Sequence, residues 1–463
     1  MRLSIDPQAV AGLPRQEQAM LHELLQIHSK HASANDRKAK YYEGNIPLSE
    51  VNLGIALPKG MEGLEIGCSW GAKCVDVLAA RSMFDGFVGE NGETVPAMDA
   101  LVAANRLVAE YAKATRDELK YGVTFSTLSA DPALGCKIRF HSPRTAAARW
   151  NGDRGRIAYG FAVIDEAPDN NEPKNWVPNL INLYTDEAIW VLLRSDNRWA
   201  ATYFPHKMGR PLMEPLVWNA TSDKPFGRSR IKNPIRRLIQ GYVRTIANAS
   251  IGLEFATAPQ KYIMGVTDRQ YDALVNDKFR QYVGSIIAGT SNPDTGEKPT
   301  FGQLAQGSLT PHVEMLKLLS AQFGAATGLS VTDTGVVNDA NPTSADAIAA
   351  ANQTLVSTAE LLNTGNGDHL RTIALMAQAI AEDKTLDELD ETQRKVYAHF
   401  RNPAMPSVAV SADAAVKIAA GRPGFAQTDV YLEMLGFDPA DIRRIKAQEQ
   451  RARGLALVSE LGV

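Results

Sequence analysis

Ile235, Leu238, Ile239, Tyr242, Val243 and Ile246 recur three and four residues apart. That spacing lines one face of an α-helix with apolar side chains. The stretch that holds them runs from Gly227 to Pro259 and opens on Gly-Arg-Ser-Arg-Ile. From Arg228 to Lys261 it carries Arg228, Arg230, Lys232, Arg236, Arg237, Arg244 and Lys261 against the single acid Glu254. A chain that contains such a segment must bury one face of a helix while leaving a dense set of cations on its flanks. Two uses follow: a solvated basic face, or a face turned toward phosphate. The net charge of the whole chain is only −3, so any contact with nucleic acid is expected to be local or transient.

The rest of the composition narrows the class. A chain of 463 residues exceeds one compact core, so two or more domains or one elongated multi-part subunit are expected. Cys68, Cys74 and Cys136 are the only cysteines, an odd and sparse set that forms no disulfide framework and fits a reducing compartment. No apolar run approaches the roughly 18–20 residues of a membrane span, and the N-terminus lacks the apolar core of a signal peptide. A soluble protein made inside a cell and not associated with a membrane is the expectation.

Periodicity divides the chain into blocks. Residues 14–38 read as a helix with Met20, Leu21, Leu24, Leu25 and His28 on one face, and helices are predicted at about 70–84 and 97–118. Between 121 and 217 short strands follow: Lys137–His141, Arg156–Asp165, Leu180–Tyr184, Ala188–Arg194 and Trp199–Phe204. Asn151-Gly152-Asp153 and Ser195-Asp196-Asn197 supply hairpin turns. After the basic helix and a small mixed unit, Val313, Leu316, Leu319 and Phe323 mark a helix at 311–327. A polar loop, 328–342, then leads into a long helical stretch from Ser344 to about Glu382. Gly365-Asn366-Gly367 should kink or break it, at about 1 kcal/mol per glycine relative to alanine. Helices at Ser411–Ala420 and from Asp438 to Arg453 close the chain, the second opening on an N-cap and a proline at its first turn.

Motifs for chemistry are few. Gly67-Cys68-Ser69-Trp70-Gly71 fits Gly-x-Ser-x-Gly, but no alternating strand–helix sheet surrounds it and no glycine-rich oxyanion segment precedes it. His22 and His28 stand six apart, on opposite sides of a helix, whereas a metal helix needs four. Cys68 and Cys74 have no second pair to complete a zinc site, and no Walker-type phosphate loop occurs. No catalytic residue, cofactor or metal is expected.

Four stretches together resemble the portal proteins of tailed double-stranded DNA phages, the head–tail connectors, of the long-tailed type common in actinobacterial viruses. Tyr41-Tyr42-Glu43-Gly44, followed by Leu53-Gly54-Ile55 and Pro58, is similar to the family's opening. Trp70 through Val75-Asp76-Val77 to Arg81 and Gly86-Phe87 resembles its next helix, a more economical account of the serine motif than a hydrolase. Pro215-Leu216-Val217 with Asn219 and Gly227-Arg228-Ser229 resembles the approach to a first stem helix, and Ala258-Pro259-Gln260-Lys261-Tyr262 with Gly265 its exit. Ser344-Ala345-Asp346-Ala347-Ile348 is similar to the start of a long wing helix. The order and spacing of the four, over about residues 35–450, carry the resemblance.

The resemblance implies an α+β fold with these parts: an α/β wing (1–225), stem helix 1 (226–257), a small α/β clip (258–309), stem helix 2 (310–327), a tunnel loop (328–343), a long wing helix region (344–404) and a helical crown (405–463). It implies a homo-dodecameric ring at one capsid vertex of the virion, assembled in host cytoplasm, through which double-stranded DNA is packaged and ejected. The implied partners are the terminase large subunit, the major capsid protein, a scaffolding protein and a head-completion adaptor. Arg228, Arg230, Lys232, Arg236, Arg237 and Arg244 would then face DNA or pair with acids of a neighbouring subunit. Val331, Thr332, Asp333, Thr334, Val336, Val337, Asn338 and Asp339 would form the tunnel loop, acidic and free of basic residues, hence a slippery or gating surface. Lys278, Arg280 and Lys298 would serve the clip's docking contacts. A serine hydrolase using Ser69 and a basic nucleic-acid-binding module are the alternatives.

Overall fold

The computed structural model describes residues 3, 5–46, 51, 66–168, 176–195, 198–257, 261–266, 286–290, 300–303, 308–335, 345–404, 408–437 and 439–460. Helix α1 (Arg15–Glu43) buries Leu21, Leu24, His28, Asn35 and Ala39, a stripe at helical spacing, and stops at Gly44 in the left-handed conformation. That stripe covers one face of a five-stranded antiparallel sheet, where Leu21 and Leu24 join Phe161, Ile181, Leu183 and Leu192 in one apolar cluster. The sheet is a meander of β4 (Ala146–Asn151), β5 (Arg156–Pro168), β6 (Trp176–Tyr184), β7 (Ala188–Ser195) and β8 (Arg198–Pro205).

Its other face joins a larger core that includes a second antiparallel sheet, β3 (Gly135–His141), β2 (Val123–Asp131) and β9 (Met213–Val217) in that order. β2 is buried almost without alternation from Val123 to Leu128. It therefore lacks the period-2 signal by which its partner β3 was predicted. The small pair β1 (Phe84–Val88) and β13 (Tyr397–Phe400) closes this core.

The predicted helix at 97–118 is two helices, α3 (Pro96–Asn105) and α4 (Leu107–Tyr121), parted at Arg106 with φ 50°. The cause is Asn105, which donates to the Cys136 carbonyl at 3.0 Å and accepts from the Ile138 amide at 2.8 Å. Its side chain stitches the helix end to β3.

A helical layer forms the third core. α2 (Trp70–Ala79), α5 (Asn233–Thr257) and α6 (Thr310–Thr327) pack together, with Ile235, Ile239, Val243 and Ala247 against Leu319 and Phe323. α5 and α6 run antiparallel: Gly241 meets Leu319, and Gly252 meets Leu309. Beyond α5, the described backbone forms a mixed sheet in which β10 (Lys261–Val266) lies between β11 (Ile286–Thr290), parallel, and β12 (Thr300–Gln303), antiparallel.

α7 (Ala345–Ala381) contributes Leu355, Ala359 and Leu362 to the helical core and Leu370, Ile373 and Ala377 to the sheet core. It runs unbroken through Gly365-Asn366-Gly367, against the expected interruption. The compensation is visible. Asn366 is fully buried and donates to the Tyr111 hydroxyl at 3.0 Å and to Glu118 Oε2 at 2.8 Å, which ties α7 to α4.

The contacts divide the chain into Met1–Pro403, which holds everything above and the short α8 (Glu391–Arg394), and Ala404–Val463. The second unit is helical: α9 (Val408–Gly421), a 3₁₀ turn at Pro423–Gln427, α10 (Asp429–Met434) capped by the Thr428 side chain, and α11 (Pro439–Glu460). The fold is α+β.

Candidate functional site

The basic run folds as two different things. Residues 218–232 are a connection laced onto the end of α4 and the start of β2, and the helix itself begins only at Asn233. The lacing is tight: Trp218 donates to the Gly122 carbonyl, Arg228 to Trp218, and Arg230 to Leu119, at 2.9–3.0 Å. Ser229 Oγ donates to the Lys120 carbonyl at 2.6 Å. Gly227 sits at φ +65° where a Cβ would fall 2.1 Å from the Trp218 carbonyl oxygen, so only glycine fits the turn.

Arg230 is consumed within the subunit. Its Nε donates to the Cys74 carbonyl at 2.6 Å and its Nη2 to the Thr327 carbonyl at 2.7 Å, with the guanidinium 5.6 Å from the Trp218 ring centre. One side chain thus staples α2 and the C-terminal end of α6 to the connection. Arg228 reaches Asp223 at 3.7 Å, between exposed side chains.

The remaining cations line two cavities along α1 that share Arg236, one facing α5 and one facing the 224–232 connection. The first, about 460 Å³, is lined by Arg37, Arg236, Arg237 and Arg244 together with Tyr41, Asn233 and Gln240. Gln240 is held by a 2.6 Å hydrogen bond to the Tyr41 hydroxyl, and Arg236 lies 6.0 Å from the Tyr41 ring centre. Among the described residues, no carboxylate lies within ion-pair distance of these four arginines, and none lines the cavity.

The second cavity, about 530 Å³, has an apolar interior that includes Tyr121, Phe125, Phe226 and Ile231. Its cations are Lys38, Lys224, Arg228, Lys232 and Arg236, with His28 and His31, and again no acid. Lys38 donates to the Tyr121 carbonyl at 2.8 Å. Burial, then the charge of Arg236, pulls its pKa down to about 8. Burial also lowers the pKa of His28, His31 and Arg236, and for Arg236 the nearby Arg37 adds to the effect. The two cavities share Arg236 and make one trough in which positive charge is crowded, with Arg228–Asp223 the one ion pair of its lining among the described residues. Its chemistry is the binding of anions, at one end alongside an apolar group.

Half of this trough was not signalled by the sequence reading. Arg37, Lys38 and His31 belong to α1, a helix read there only for its apolar face. A helix-period count of the cations on 30–40, with Lys30 and Arg37 seven apart, His31 and Lys38 seven apart and Lys30 and Lys38 eight apart, would have marked a second basic helix face. Lys232, Arg236, Arg237 and Arg244 are gathered into the trough, whereas Arg230 is not.

Of the tunnel-loop residues, Val331–Thr334 form a 3₁₀ turn. Thr334 is buried against the Ser320 hydroxyl, and its carbonyl accepts from Trp70 Nε1 at 3.0 Å. Asp333 accepts from Ser330 Oγ at 2.7 Å. Trp70 also stacks on Phe323 and leans on Tyr242, both at 4.7 Å, so the start of the loop is pinned to the α5–α6 pair. Val336, Val337, Asn338 and Asp339, and the clip residues Lys278, Arg280 and Lys298, lie outside the described residues.

The serine motif has a packing explanation. A Cβ on Gly71 would stand 1.8 Å from the Tyr41 carbonyl oxygen, so this glycine lets α2 approach the end of α1. Ser69 is the residue before α2, and among the described residues no histidine is hydrogen-bonded to it. No group of three or more potential metal ligands occurs among the described residues. No described helix is long and apolar enough to cross a membrane.

No family model matches the chain. It is 22% identical over 424 residues to the portal protein of Mycobacterium phage D29, covering 88% of this chain and 84% of that protein. It is 23% identical over 424 residues, with the same coverage, to the portal protein of Mycobacterium phage L5. Among solved structures, a chain from the virion of a native gene transfer agent particle aligns over 80% of this chain and 90% of its own, at 13% identity and a TM-score of 0.44. A chain from the neck of the empty particle aligns over the same shares, at 13% identity and a TM-score of 0.45. The two mycobacteriophage relatives, both portal proteins, agree with this chain over 88% of its length, so the chain is similar to phage portal proteins along most of its sequence.

Proposed function

We propose that twelve copies of this chain close into a ring at one capsid vertex, and that the hole of the ring is the channel through which double-stranded DNA is packaged and ejected. The observation that carries this reading is the 424-residue likeness to two portal proteins. In this reading residues 1–225 and 344–404 form the wing, 226–257 and 310–327 the stem, 258–309 the clip, 328–343 the tunnel loop and 405–463 the crown. The clip, with Lys278, Arg280 and Lys298, docks the terminase large subunit and later a head-completion adaptor. The wing meets the major capsid protein, and a scaffolding protein assists assembly. The work of such a ring is passage and docking, not turnover.

The physics of a channel favours this distribution of charge. Each tight phosphate contact is a barrier to sliding, and a ring multiplies every contact by its copy number. A working channel therefore keeps strong cation clusters off its wall. The Lys232, Arg236, Arg237 and Arg244 cluster, which lines the cavities beside α1, suits an interface role, leaving the acidic loop around Asp333 and Asp339 for the passage.

Electron microscopy of the purified protein, with native mass spectrometry to count subunits, tests the reading. Rings of about twelve copies with a central hole are expected. A chain that stays monomeric at high concentration and binds duplex DNA through Arg236, Arg237 and Arg244 would overturn it in favour of a basic nucleic-acid-binding module.

A further inference from the structure

We infer that the apolar, basic cavity between α1 and the 224–232 connection receives the acidic, tryptophan-bearing surface that Asp165, Glu166, Pro168 and Trp176 form on the paired strands β5 and β6 of a second copy of this chain, an inference that rests on the ring reading above. The cavity sets two demands on its occupant. Lys38, Lys224, Lys232 and Arg236 ask for carboxylates, and the interior lined by Phe125 and Phe226 asks for a large apolar side chain. A nucleic-acid backbone meets the first demand and not the second.

The surface of β5 and β6 at Asp165, Glu166, Pro168 and Trp176 meets both. Trp176 is 60% exposed, an unusual state for so large an apolar side chain. It pairs with Pro168 across the hairpin, and Glu166 pairs with Pro178. Residues two apart on a strand share a face, so Trp176, Pro168 and Glu166 present one surface. Asp165 is exposed beside them, where the strand register shifts twice in succession. Among the described residues neither Asp165 nor Glu166 has a cationic partner. A cavity of about 530 Å³ falls within the range that encloses a side chain of this size. Tryptophan seated in a pocket, with charged groups around its rim, is the usual form of an interface anchor. The contact joins one surface of a copy to a different surface of the next, the kind of heterologous contact from which a ring closes.

The three native cysteines are buried, so introduced thiols report cleanly. One population carries Pro168→Cys and another Lys224→Cys, each full-length, and the two are mixed, assembled and treated with a short bismaleimide. Cross-linked pairs are expected in the mixture and in neither population alone. Adding Trp176→Ala to the first population should lower the cross-link yield roughly tenfold or more, with no loss of thermal stability because the side chain is exposed. Rings that form without the cross-link, or a yield indifferent to Trp176→Ala, overturn this inference alone. A Lys224→Cys thiol shielded by duplex DNA and not by the second population assigns the trough to nucleic acid and overturns it as well. A chain that never assembles overturns both this inference and the ring.

Discussion

Arg230 and Arg236 belong to one basic run and end in opposite circumstances. Arg230 meets two carbonyl oxygens contributed by residues 156 and 97 positions away, Cys74 and Thr327. Arg236 meets Arg37, another cation, across an open cavity. The same side chain is in one case a staple of the subunit and in the other a charge left without a counter-charge. What separates them is the backbone around them. The residues ahead of α5 are woven between α4, α2 and the end of α6, where helix carbonyls are available, and a helix C-terminus welcomes a cation. Once α5 begins, its own backbone is satisfied, and its flanks turn to α1, which offers more cations.

The comparison breaks most sharply at the staple. Arg230→Met keeps the apolar stem and removes both charge-assisted hydrogen bonds, each worth about 1.5–3 kcal/mol. Urea unfolding of the variant should show a loss of roughly 3–5 kcal/mol, and Arg230→Lys should recover only part, since an ammonium cannot reproduce the guanidinium fork. An unchanged midpoint for Arg230→Met would mean that the staple is incidental and that both arginines are surface charges after all.

A buried acid supplies the second test, because among the described residues it is an ionisable group with no cationic partner. Glu118 is fully buried between α4 and α7. Burial pushes its pKa up to about 8, against a smaller lowering by the Asn366 hydrogen bond. Neither Glu118 Oε1 nor Asn366 Oδ1 finds a partner among the described residues, and a protonated carboxyl brings the donor that the pair lacks. The sign follows from the raised pKa. The folded chain holds this proton more tightly than the unfolded chain, so the contribution is complete below the ordinary carboxylate pKa. It is lost as pH rises through about 8. Glu118→Gln, a permanently neutral carrier of a donor, should match the parent to within about 1 kcal/mol near about pH 5 and exceed it by roughly 4 kcal/mol near about pH 9. Parallel stability–pH curves for the two would show that Glu118 is charged in the fold.

These contrasts also mark what the sequence discloses. The apolar stripe of α5 and the proline opening of α6 are local, and both helices were legible from spacing. β3 and the meander strands β5 to β8 alternate or end in turn residues, and they were legible too, whereas β4, an alanine-rich strand, was not. β2, buried on both faces, has no alternation to read. The split at Arg106 depends on Asn105 reaching across to β3, and the continuity of α7 at Gly365-Asn366-Gly367 depends on Glu118 and Tyr111, both more than two hundred residues away in the chain. Local propensity cannot contain such partners. The site follows the same rule: its α5 half announced itself by charge, while its α1 half is cationic only in company.

The smallest effect on stability belongs to the trough, and it is the most telling. Arg237 and Arg244 are exposed, line the cavity with Arg37 and Arg236, and hold no carboxylate among the described residues. Arg237→Gln with Arg244→Gln removes like-charge repulsion and breaks no hydrogen bond that supports the fold, so stability should stay within about 0.5 kcal/mol of the parent. What change there is should be a gain at low salt that vanishes at high salt, as screening removes the repulsion. Assembly should respond the other way, with rings scarcer in the variant and the deficit smaller as salt rises. Urea midpoints and native mass spectra taken at matched salt concentrations separate the two responses. Coincident losses in both would make the trough a structural element like Arg230. A silent stability curve beside a failing ring would make it a surface built for something outside the subunit.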